Sequence, residues 1–230
     1  MSDFIGFFIE SSPKLLDGLY ITILLTFISL ALGLILGLLL ALGRVYGKTI
    51  ISGICAGYIE IIRGTPLLVQ LFIIYFGFPQ AGVSLEPLTA ALIGLSLNSG
   101  AYQAEYLRGS IQSIESGQMV AARSLGMTKI KAIGNIILPQ ALRISIPAWS
   151  NELIYLVKYT SIAYIIQVRE LTAEGKFIAA HSFRYIEIFM IIAIIYLVLT
   201  FIFTEIIDRV EKKLSIPGIG TIKRLEQRII

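Results

Sequence analysis

Five long apolar stretches stand out in the pattern of hydrophobic and polar positions along the chain. A helix needs about 20 mostly apolar residues to cross the hydrocarbon core of a bilayer. Because lipid cannot satisfy an open backbone, each stretch is predicted to form a transmembrane helix. The chain is therefore predicted to be an all-α integral membrane protein with one transmembrane domain, residues 1–230. The five predicted spans cover residues 15–42, 54–78, 88–107, 141–166 and 186–207.

The composition supports this fold class and excludes others. Of the 230 residues, 56% are hydrophobic and 15% are charged, whereas a soluble domain has about 45–50% apolar and about 25% charged residues. The excess of apolar residues excludes a soluble enzyme and a disordered chain. The only cysteine, Cys55, excludes a disulfide framework and a metal site built from several thiolates. The net charge of +4 gives no indication of nucleic-acid binding.

The positions of Lys and Arg predict how the chain is oriented. Cytoplasmic loops of membrane proteins carry an excess of these residues. If the N-terminus lies outside and the C-terminus lies in the cytoplasm, most of the 19 Lys and Arg residues fall on the cytoplasmic side. The outer segments then hold Lys14, Arg169, Lys176 and Arg184, and the spans hold Arg63 and Lys158.

Two pairs of glycines are spaced so that helices can approach each other closely. These pairs are Gly33–Gly37 and Gly53–Gly57. Packing within the chain and an interface between subunits are equally compatible with this spacing.

The predicted spans also contain ionisable residues, which are costly inside a membrane and are therefore candidates for function. Glu60 and Arg63 are three positions apart and are expected to pair beside a kink at Gly64-Thr65-Pro66. Glu105 and Arg108 lie near the cytoplasmic end of the third span and are expected to anchor the following loop.

Helical spacing places further polar residues on two faces that are able to line a cavity between spans. One face of the third span carries Asn98, Tyr102 and Glu105. The fourth span carries two adjacent stripes, one of Asn151, Tyr155 and Lys158 and one of Glu152, Tyr155 and Tyr159. A structural role is an equal alternative, in which Glu152 and Lys158 satisfy each other or a neighbouring helix.

The segment between the third and fourth spans, residues 108–140, contains a short predicted helix, Gln118–Leu125. Gly117 opens it, and Gly126 ends it as a C-terminal glycine does. Its small residues on the cytoplasmic side suit docking into the groove of a partner. An ordinary interfacial helix between two spans has the same composition.

Motifs spread over residues 15–210 form a known pattern. The loop reads Gly117-Gln-x-x-Ala121-Ala122-x-x-x-Gly126 and continues as Ile136-x-Leu-Pro139. The other stretches are Gly18-x-x-x-Thr22-x-x-x-Thr26-x-x-Ser29, Arg63-Gly-Thr-Pro-Leu-Leu-Val-Gln70, Ser99-Gly-Ala-Tyr-Gln-Ala-Glu105-x-x-Arg108-Gly, Leu138-Pro-Gln-Ala-Leu-Arg143 and Lys158-x-Thr160-Ser161. In these stretches the chain resembles the permease subunits of bacterial and archaeal ABC-type importers, whose EAA loop the segment after Gly117 matches. More narrowly, it resembles the polar amino-acid uptake group.

The resemblance implies a type I ABC importer permease core, with five transmembrane helices and a cytoplasmic coupling helix, in the plasma (inner) membrane. It implies two copies of an ABC ATPase, an extracytoplasmic amino-acid-binding protein and a second permease subunit, which we expect to be a copy of this chain. ATP and Mg²⁺ then belong to the ATPase, and this chain has no catalytic residue, cofactor or metal of its own. The expected ATPase-docking residues are Gly117, Gln118, Ala121, Ala122 and Gly126.

The sequence itself lacks the motif of an ATPase. A P-loop requires G-x-x-x-x-G-K-[ST]. The stretch Gly43-Arg-Val-Tyr-Gly47-Lys-Thr is one residue short and lies at the end of a span. The chain is therefore expected to be a transport subunit and not an enzyme.

The resemblance implies an amino acid as the substrate, whose carboxylate needs donors and whose ammonium group needs acceptors. Glu152 is the expected partner of a cationic side chain, which makes arginine, histidine and lysine the leading prediction, translocated by alternating access. Glutamine or glutamate, and an ATP-independent channel or carrier, are the alternatives. The predicted substrate-binding residues are Ser96, Asn98, Tyr102, Asn151, Glu152, Tyr155, Lys158, Thr160 and Ser161.

Two positions depart from the pattern of the family. Val120 stands where the family usually has Glu before the two alanines, and Tyr159 stands where it often has Asp. The first departure argues against an ion pair from this position to the ATPase. The second bears on substrate specificity.

Overall fold

The computed structural model describes residues 2–214, which form helices joined by short connections, without a β-strand in this range. The α-helices are α1 (Ser2–Tyr46), α2 (Thr49–Gly64), α3 (Leu67–Phe72), α4 (Pro87–Gln112), α5 (Ser116–Ser124), α6 (Lys129–Ala132), α7 (Leu138–Tyr159), α8 (Leu171–Ser182) and α9 (Tyr185–Leu214). The remaining helical segments are the π-helices Ile73–Gly77 and Ile133–Ile137 and the 3-10 helices Phe78–Ala81 and Thr160–Ile166.

Length and hydropathy identify some of these helices as membrane spans. Gly6–Tyr46 and Tyr185–Glu211 are each long and apolar enough to cross a bilayer. Thr49–Gly64 and Leu67–Ala81 qualify together, although they are bent by 104° with respect to each other. The helix α4 has 26 residues and α7 has 22. At about 1.5 Å per residue these lengths suffice to cross, but both helices are more polar, and the count of five spans stays a prediction.

The helix α4 lies at the centre of the fold and packs against α1, α2, α3 and α7. Its contact with α1 is close because glycines face it. A Cβ atom at Gly37 would lie 2.9 Å from the Cβ of Gln103 and 3.0 Å from the carbonyl oxygen of Gly100. A Cβ atom at Gly53 or Gly57 would meet nothing within 4 Å. The first glycine pair therefore packs within the chain, whereas the second lies open on α2.

The kink predicted at Gly64-Thr65-Pro66 is a full break between α2 and α3. The Thr65 hydroxyl donates to the carbonyl of Ile61 at 2.9 Å. The Gln70 amide then bridges the break, donating to the carbonyls of Ile62 at 2.7 Å and Thr65 at 3.1 Å. These side chains satisfy backbone carbonyls that the broken helix leaves without intrahelical partners.

The helix α8 was not predicted from the sequence, and its start is fixed by α1 and α9. The Glu170 carboxylate caps it, accepting from the backbone N–H groups of Thr172 at 2.9 Å and Ala173 at 2.8 Å. The Tyr196 hydroxyl of α9 donates to the same carboxylate at 2.9 Å. The backbone N–H of Leu171 donates to the hydroxyl of Thr22 in α1 at 3.2 Å. Thr22 of the Gly18–Ser29 motif therefore has a structural role, since it joins α1 to the start of α8.

Candidate functional site

Six polar residues of α2, α4 and α7 form what we call the open polar face: Arg63, Tyr102, Asn151, Tyr155, Lys158 and Tyr159. On α7 the rings of Tyr155 and Tyr159 stack with their centroids 6.1 Å apart, and Lys158 Nζ lies 4.8 Å from the ring centre of Tyr155. On the other side the guanidinium of Arg63 lies 5.1 Å from the ring centre of Tyr102. Tyr159 is within electrostatic range of Tyr102, which links the two sides.

Glu152 lies next to this face but points away from it, toward α4. Its side chain is buried, with the residue only 5% exposed. The Ser99 hydroxyl donates to Oε1 at 2.6 Å, and the Tyr106 hydroxyl donates to Oε2 at 3.4 Å. Of the structural alternatives, the structure thus has Glu152 bonded to a neighbouring helix and not paired with Lys158.

Four further residues predicted to bind substrate are not part of the open polar face in this structure. Asn98 donates to Gln70 Oε1 at 3.0 Å. Thr160 donates to the carbonyl of Val157 at 2.7 Å, and Ser161 donates to that of Lys158 at 2.6 Å. Ser96 is buried, and its hydroxyl has no hydrogen-bond partner within residues 2–214. Contact of these four residues with a substrate stays a prediction.

A cluster of charges surrounds Glu105 in the C-terminal half of α4. Arg44 donates to Oε1 at 2.5 Å, and Arg108 donates through Nε at 2.8 Å and through Nη2 at 2.9 Å. The hydrogen bond to Glu105 raises the pKa of Arg108. Arg63 lies farther away, with Nη1 3.7 Å from Oε2. We call Arg44, Glu60, Arg63, Glu105 and Arg108 the Glu105 cluster.

The predicted pair of Glu60 with Arg63 is wrong. Glu60 lies 3.6 Å from Arg44 of α1, and Arg63 reaches toward α4 instead. Residues three apart on a helix lie on the same side but not in the same direction. The neighbouring helices α1 and α4 therefore supply the partners of the two side chains.

The short helix predicted in the loop is present as α5, and it begins at Ser116, two residues earlier than predicted. Gly126 ends it with a φ of +82°, and the N–H of Met127 bonds back to the carbonyl of Ala122 at 3.1 Å. This is the Schellman arrangement that a C-terminal glycine permits. Ala122 is buried, whereas Gly117, Gln118, Ala121 and Val120 are exposed.

A side-chain bond connects α5 to α7, since Gln140 Nε2 of α7 donates to Gln118 Oε1 at 2.7 Å. The exposed surface of this loop includes three large apolar side chains, Val120, Leu125 and Ile130. Within the described part of the chain, no group of three or more His, Cys, Asp or Glu side chains is placed to hold a metal ion.

The roles of two residues near the site differ from what the sequence predicts. It predicts an ion pair of Arg63 with Glu60 and gives no role to Tyr106. The spacing from Ser99 to Tyr106 is i, i+7, which places both on one side of α4. That spacing was the available signal for Tyr106, while the position of Arg63 depends on the break after α2.

Comparisons with known proteins assign most of the chain to one family of membrane transport proteins. Residues 33–216 match the family model described as the binding-protein-dependent transport system inner membrane component. The chain is 41% identical over 205 residues to a probable amino-acid ABC transporter permease protein of Bacillus subtilis (strain 168), covering 89% of this chain and 91% of that protein. It is 39% identical over 206 residues to the glutamine transport system permease protein of Escherichia coli (strain K12), covering 89% and 94%.

Among solved structures, one crystal structure of an amino acid ABC transporter with histidines superposes with a TM-score of 0.83 at 40% identity. The match covers 89% of this chain and 96% of that chain. An inward-facing methionine ABC transporter shares the fold, with a TM-score of 0.75 at 21% identity, over 88% of this chain and 97% of that chain.

Proposed function

Since the chain belongs to the family of binding-protein-dependent transport system inner membrane components, we propose that this permease subunit of an amino-acid ABC importer moves polar L-amino acids along its open polar face. Permease subunits of this family are transport components and not enzymes. The family implies an ATPase partner and a substrate-binding protein. Membership in this family argues against an ATP-independent channel or carrier.

The observation that supports this path is the exposure of charged and phenolic groups on helices predicted to cross the membrane. Lys158 and the rings of Tyr155 and Tyr159 are exposed on α7, where lipid cannot stabilise a charge. Such groups belong on a water-filled path or at a protein interface. They offer an ammonium group, hydroxyl donors and aromatic faces, which suit a zwitterionic substrate.

Basic amino acids are the first candidates, because a carboxylate lies directly beside the face. Glu152 is held by two hydroxyl groups and not by a cation. A rotation of α7 relative to α4 would exchange these hydroxyl bonds for a charge-assisted bond to the side chain of arginine, lysine or histidine, which is about twice as strong. In this proposal Glu152 selects the substrate.

Glutamine or glutamate is the second candidate, favoured by a different observation. The exposed charges of the open polar face are the cations Arg63 and Lys158, whereas Glu152 is covered. A face of this sign favours a neutral or acidic side chain over a basic one.

The coupling to ATP is proposed to pass through α5. Its residues Gly117, Gln118, Ala121, Ala122 and Gly126 would dock into grooves on two ATPase copies, which bind ATP and Mg²⁺. Closure of the ATPases then moves α5, and the bond of Gln118 to Gln140 transmits this movement to the start of α7. The spans thereby alternate between inward-facing and outward-facing states.

The open polar face also supports a second copy of this chain as the partner permease. A surface with exposed Asn151, Tyr155 and Lys158 is unsuited to lipid and is self-complementary only when a twofold axis brings two such surfaces together. We further propose five spans in the plasma (inner) membrane with the N-terminus outside and the C-terminus in the cytoplasm, because Lys and Arg are concentrated on that side.

The experiment that tests the proposed function measures ATP hydrolysis in liposomes containing this chain, its ATPase and its binding protein. Arginine, histidine, lysine, glutamine and glutamate are added in turn, with the native chain and with Glu152→Gln. We expect basic amino acids to stimulate hydrolysis and the substitution to abolish that response. Stimulation by glutamine or glutamate alone supports the second candidate. An equal response of both chains removes Glu152 from the site, and no response to any of the five overturns the amino-acid path.

A further inference from the structure

Among the three arginines of the Glu105 cluster, Arg63 is the one whose N–H groups donate no hydrogen bond in the described part of the chain. Its guanidinium has five N–H donors, yet it forms no hydrogen bond with any residue in the described part of the chain. Its contacts are the 3.7 Å approach to Glu105 and the cation–π contact with Tyr102 at 5.1 Å. Arg44 and Arg108, by contrast, donate three hydrogen bonds to the same carboxylate at 2.5–2.9 Å.

The charge balance of the Glu105 cluster also indicates that Arg63 is available to a further anion. Arg44, Arg63 and Arg108 face the carboxylates of Glu60 and Glu105, so one positive charge is not balanced. Glu105 already accepts three hydrogen bonds from the two arginines closest to it. Arg63 is therefore the cation that is available to an additional anion.

The position of Arg63 is fixed by the break that follows it. Thr65 and Gln70 hold the carbonyls of Ile61 and Ile62, immediately before Arg63, and Gln70 is in turn bonded to Asn98 of α4. Arg63 thus lies beside the C-terminal half of α4, next to Tyr102 and Glu105. Its side chain is 39% exposed, and in a segment predicted to cross the membrane such a guanidinium needs an anion or water.

The contact with Tyr102 leaves the donors of Arg63 without a hydrogen bond. The guanidinium lies over the ring, 5.1 Å from its centre, and is attracted through its charge and not through a particular N–H group. The planar fork of guanidinium N–H groups matches the two oxygens of a carboxylate. An α-carboxylate is also the group that all candidate amino acids share.

We propose that Arg63, supported by Tyr102, binds the α-carboxylate of the transported amino acid inside the membrane. This inference rests on the proposed function and adds a group to its site. Recognition of the carboxylate is then independent of the substrate side chain, and residues of α7 recognise that side chain. This arrangement also separates the two ends of the substrate, with its carboxylate at the break after α2 and its side chain at Tyr155, Lys158 or Glu152.

The test measures direct binding to the permease–ATPase complex in lipid nanodiscs, without the binding protein. The probes are L-arginine and L-glutamine, each compared with its carboxamide, L-argininamide or L-glutaminamide, in which the carboxylate is replaced. The variants are Arg63→Gln, Arg63→Lys and, as the control, Arg143→Gln. Arg143 is also an exposed arginine without a hydrogen bond or ion pair in the described part of the chain, but it lies near the start of α7.

We expect Arg63→Gln to weaken binding of both amino acids by about tenfold or more, to leave the affinity for the two amides unchanged, and to be partly rescued in Arg63→Lys. Arg143→Gln should bind like the native complex. Thermal midpoints of the complexes identify a variant that has lost its fold, and Arg63→Lys then serves as the test variant.

Amino-acid affinity within twofold of native in a folded Arg63→Gln complex overturns the inference. An equal loss for amino acids and amides overturns it as well, because the residue then acts through the structure. If amino acids stimulate hydrolysis in the liposome assay but do not bind to the native complex in nanodiscs, the proposed function stands and this inference fails.

Discussion

Neighbouring residues of α7 face either the open polar face or α4, and this determines which of them are accessible to a substrate. Each residue of a helix is rotated by about 100° from the one before it. Asn151, Tyr155 and Lys158 therefore share the open side, whereas Glu152 faces α4 and is bonded to Ser99. The sequence placed these residues in two adjacent stripes, but it could not indicate which stripe a neighbouring helix covers.

The same reasoning applies to the polar side of α4. Asn98, Tyr102 and Glu105 do lie on one side, as their spacing predicts. Asn98 contacts Gln70, and both Tyr102 and Glu105 contact Arg63. This side thus faces the broken α2–α3 segment. The sequence could not reveal that neighbour, because the contacts join residues 28 or more positions apart, and their geometry depends on a break of 104°.

Ser99 is predicted to stabilise the buried carboxylate of Glu152. Replacing Ser99 by Ala removes the 2.6 Å hydrogen bond and leaves Oε1 without a donor. We expect a loss of about 1–2 kcal/mol in the free energy of unfolding, seen as a lower thermal midpoint of the complex in nanodiscs. The control is Ser113→Ala, since the hydroxyl of Ser113 bonds only to the carbonyl of Ser110, three residues earlier. Equal midpoints for the two variants would contradict a supporting role of Ser99.

At the scale of elements, the end of α5 depends on one backbone conformation. Gly126 has a φ of +82°, which side-chain-bearing residues adopt at a cost of about 1–3 kcal/mol. We expect Gly126→Val to distort the loop and to reduce substrate-stimulated ATP hydrolysis several-fold while the spans stay folded. Gly109→Ala is the matched control, because its Cβ would meet nothing within 4 Å and its φ is not positive. Native hydrolysis in Gly126→Val would argue that α5 is an ordinary interfacial helix.

The packing of α1 on α4 gives a second prediction at this scale. A side chain at Gly37 would collide with backbone atoms of Gly100 and Ala104, both 3.0 Å from its Cβ. We therefore expect Gly37→Val to separate the two helices and to lower the yield and the thermal midpoint of the complex. Gly53→Val introduces the same side chain where nothing lies within 4 Å. A midpoint for Gly37→Val as high as that for Gly53→Val would show that α1 and α4 do not depend on this approach.

The helix α8 marks the limit of what the apolar pattern predicts at the element scale. Spans are recognised because about 20 apolar residues follow one another, and α8 has only 12 residues. Its position depends on contacts with distant residues, such as the bond from Leu171 to Thr22. The capping carboxylate Glu170 two residues before Thr172 was a local signal for its start.

In the whole molecule, the more polar helices α4 and α7 pack against other helices, and α4 lies at the centre. The helices that hydropathy alone identifies, α1 and α9, carry large exposed apolar surfaces suited to lipid. The central α4 and the neighbouring α7 carry the polar residues, which other helices or the open polar face accommodate. The all-α fold could therefore be predicted from the apolar pattern, whereas the arrangement of α4 and α7 follows from contacts between helices.

This arrangement leads to the prediction that two copies of the chain meet through the open polar face. Copies with different affinity tags, expressed together with the ATPase, should co-purify. In a Cys55→Ala background, Asn151→Cys on the open polar face should cross-link the two copies. Ile194→Cys on the exposed apolar side of α9 should not, because that side suits lipid. Separate purification of the two tagged copies would argue for a different permease as the partner. Cross-linking through position 194 and not through 151 would place the interface on α9, and the open polar face would then line a path within a single chain.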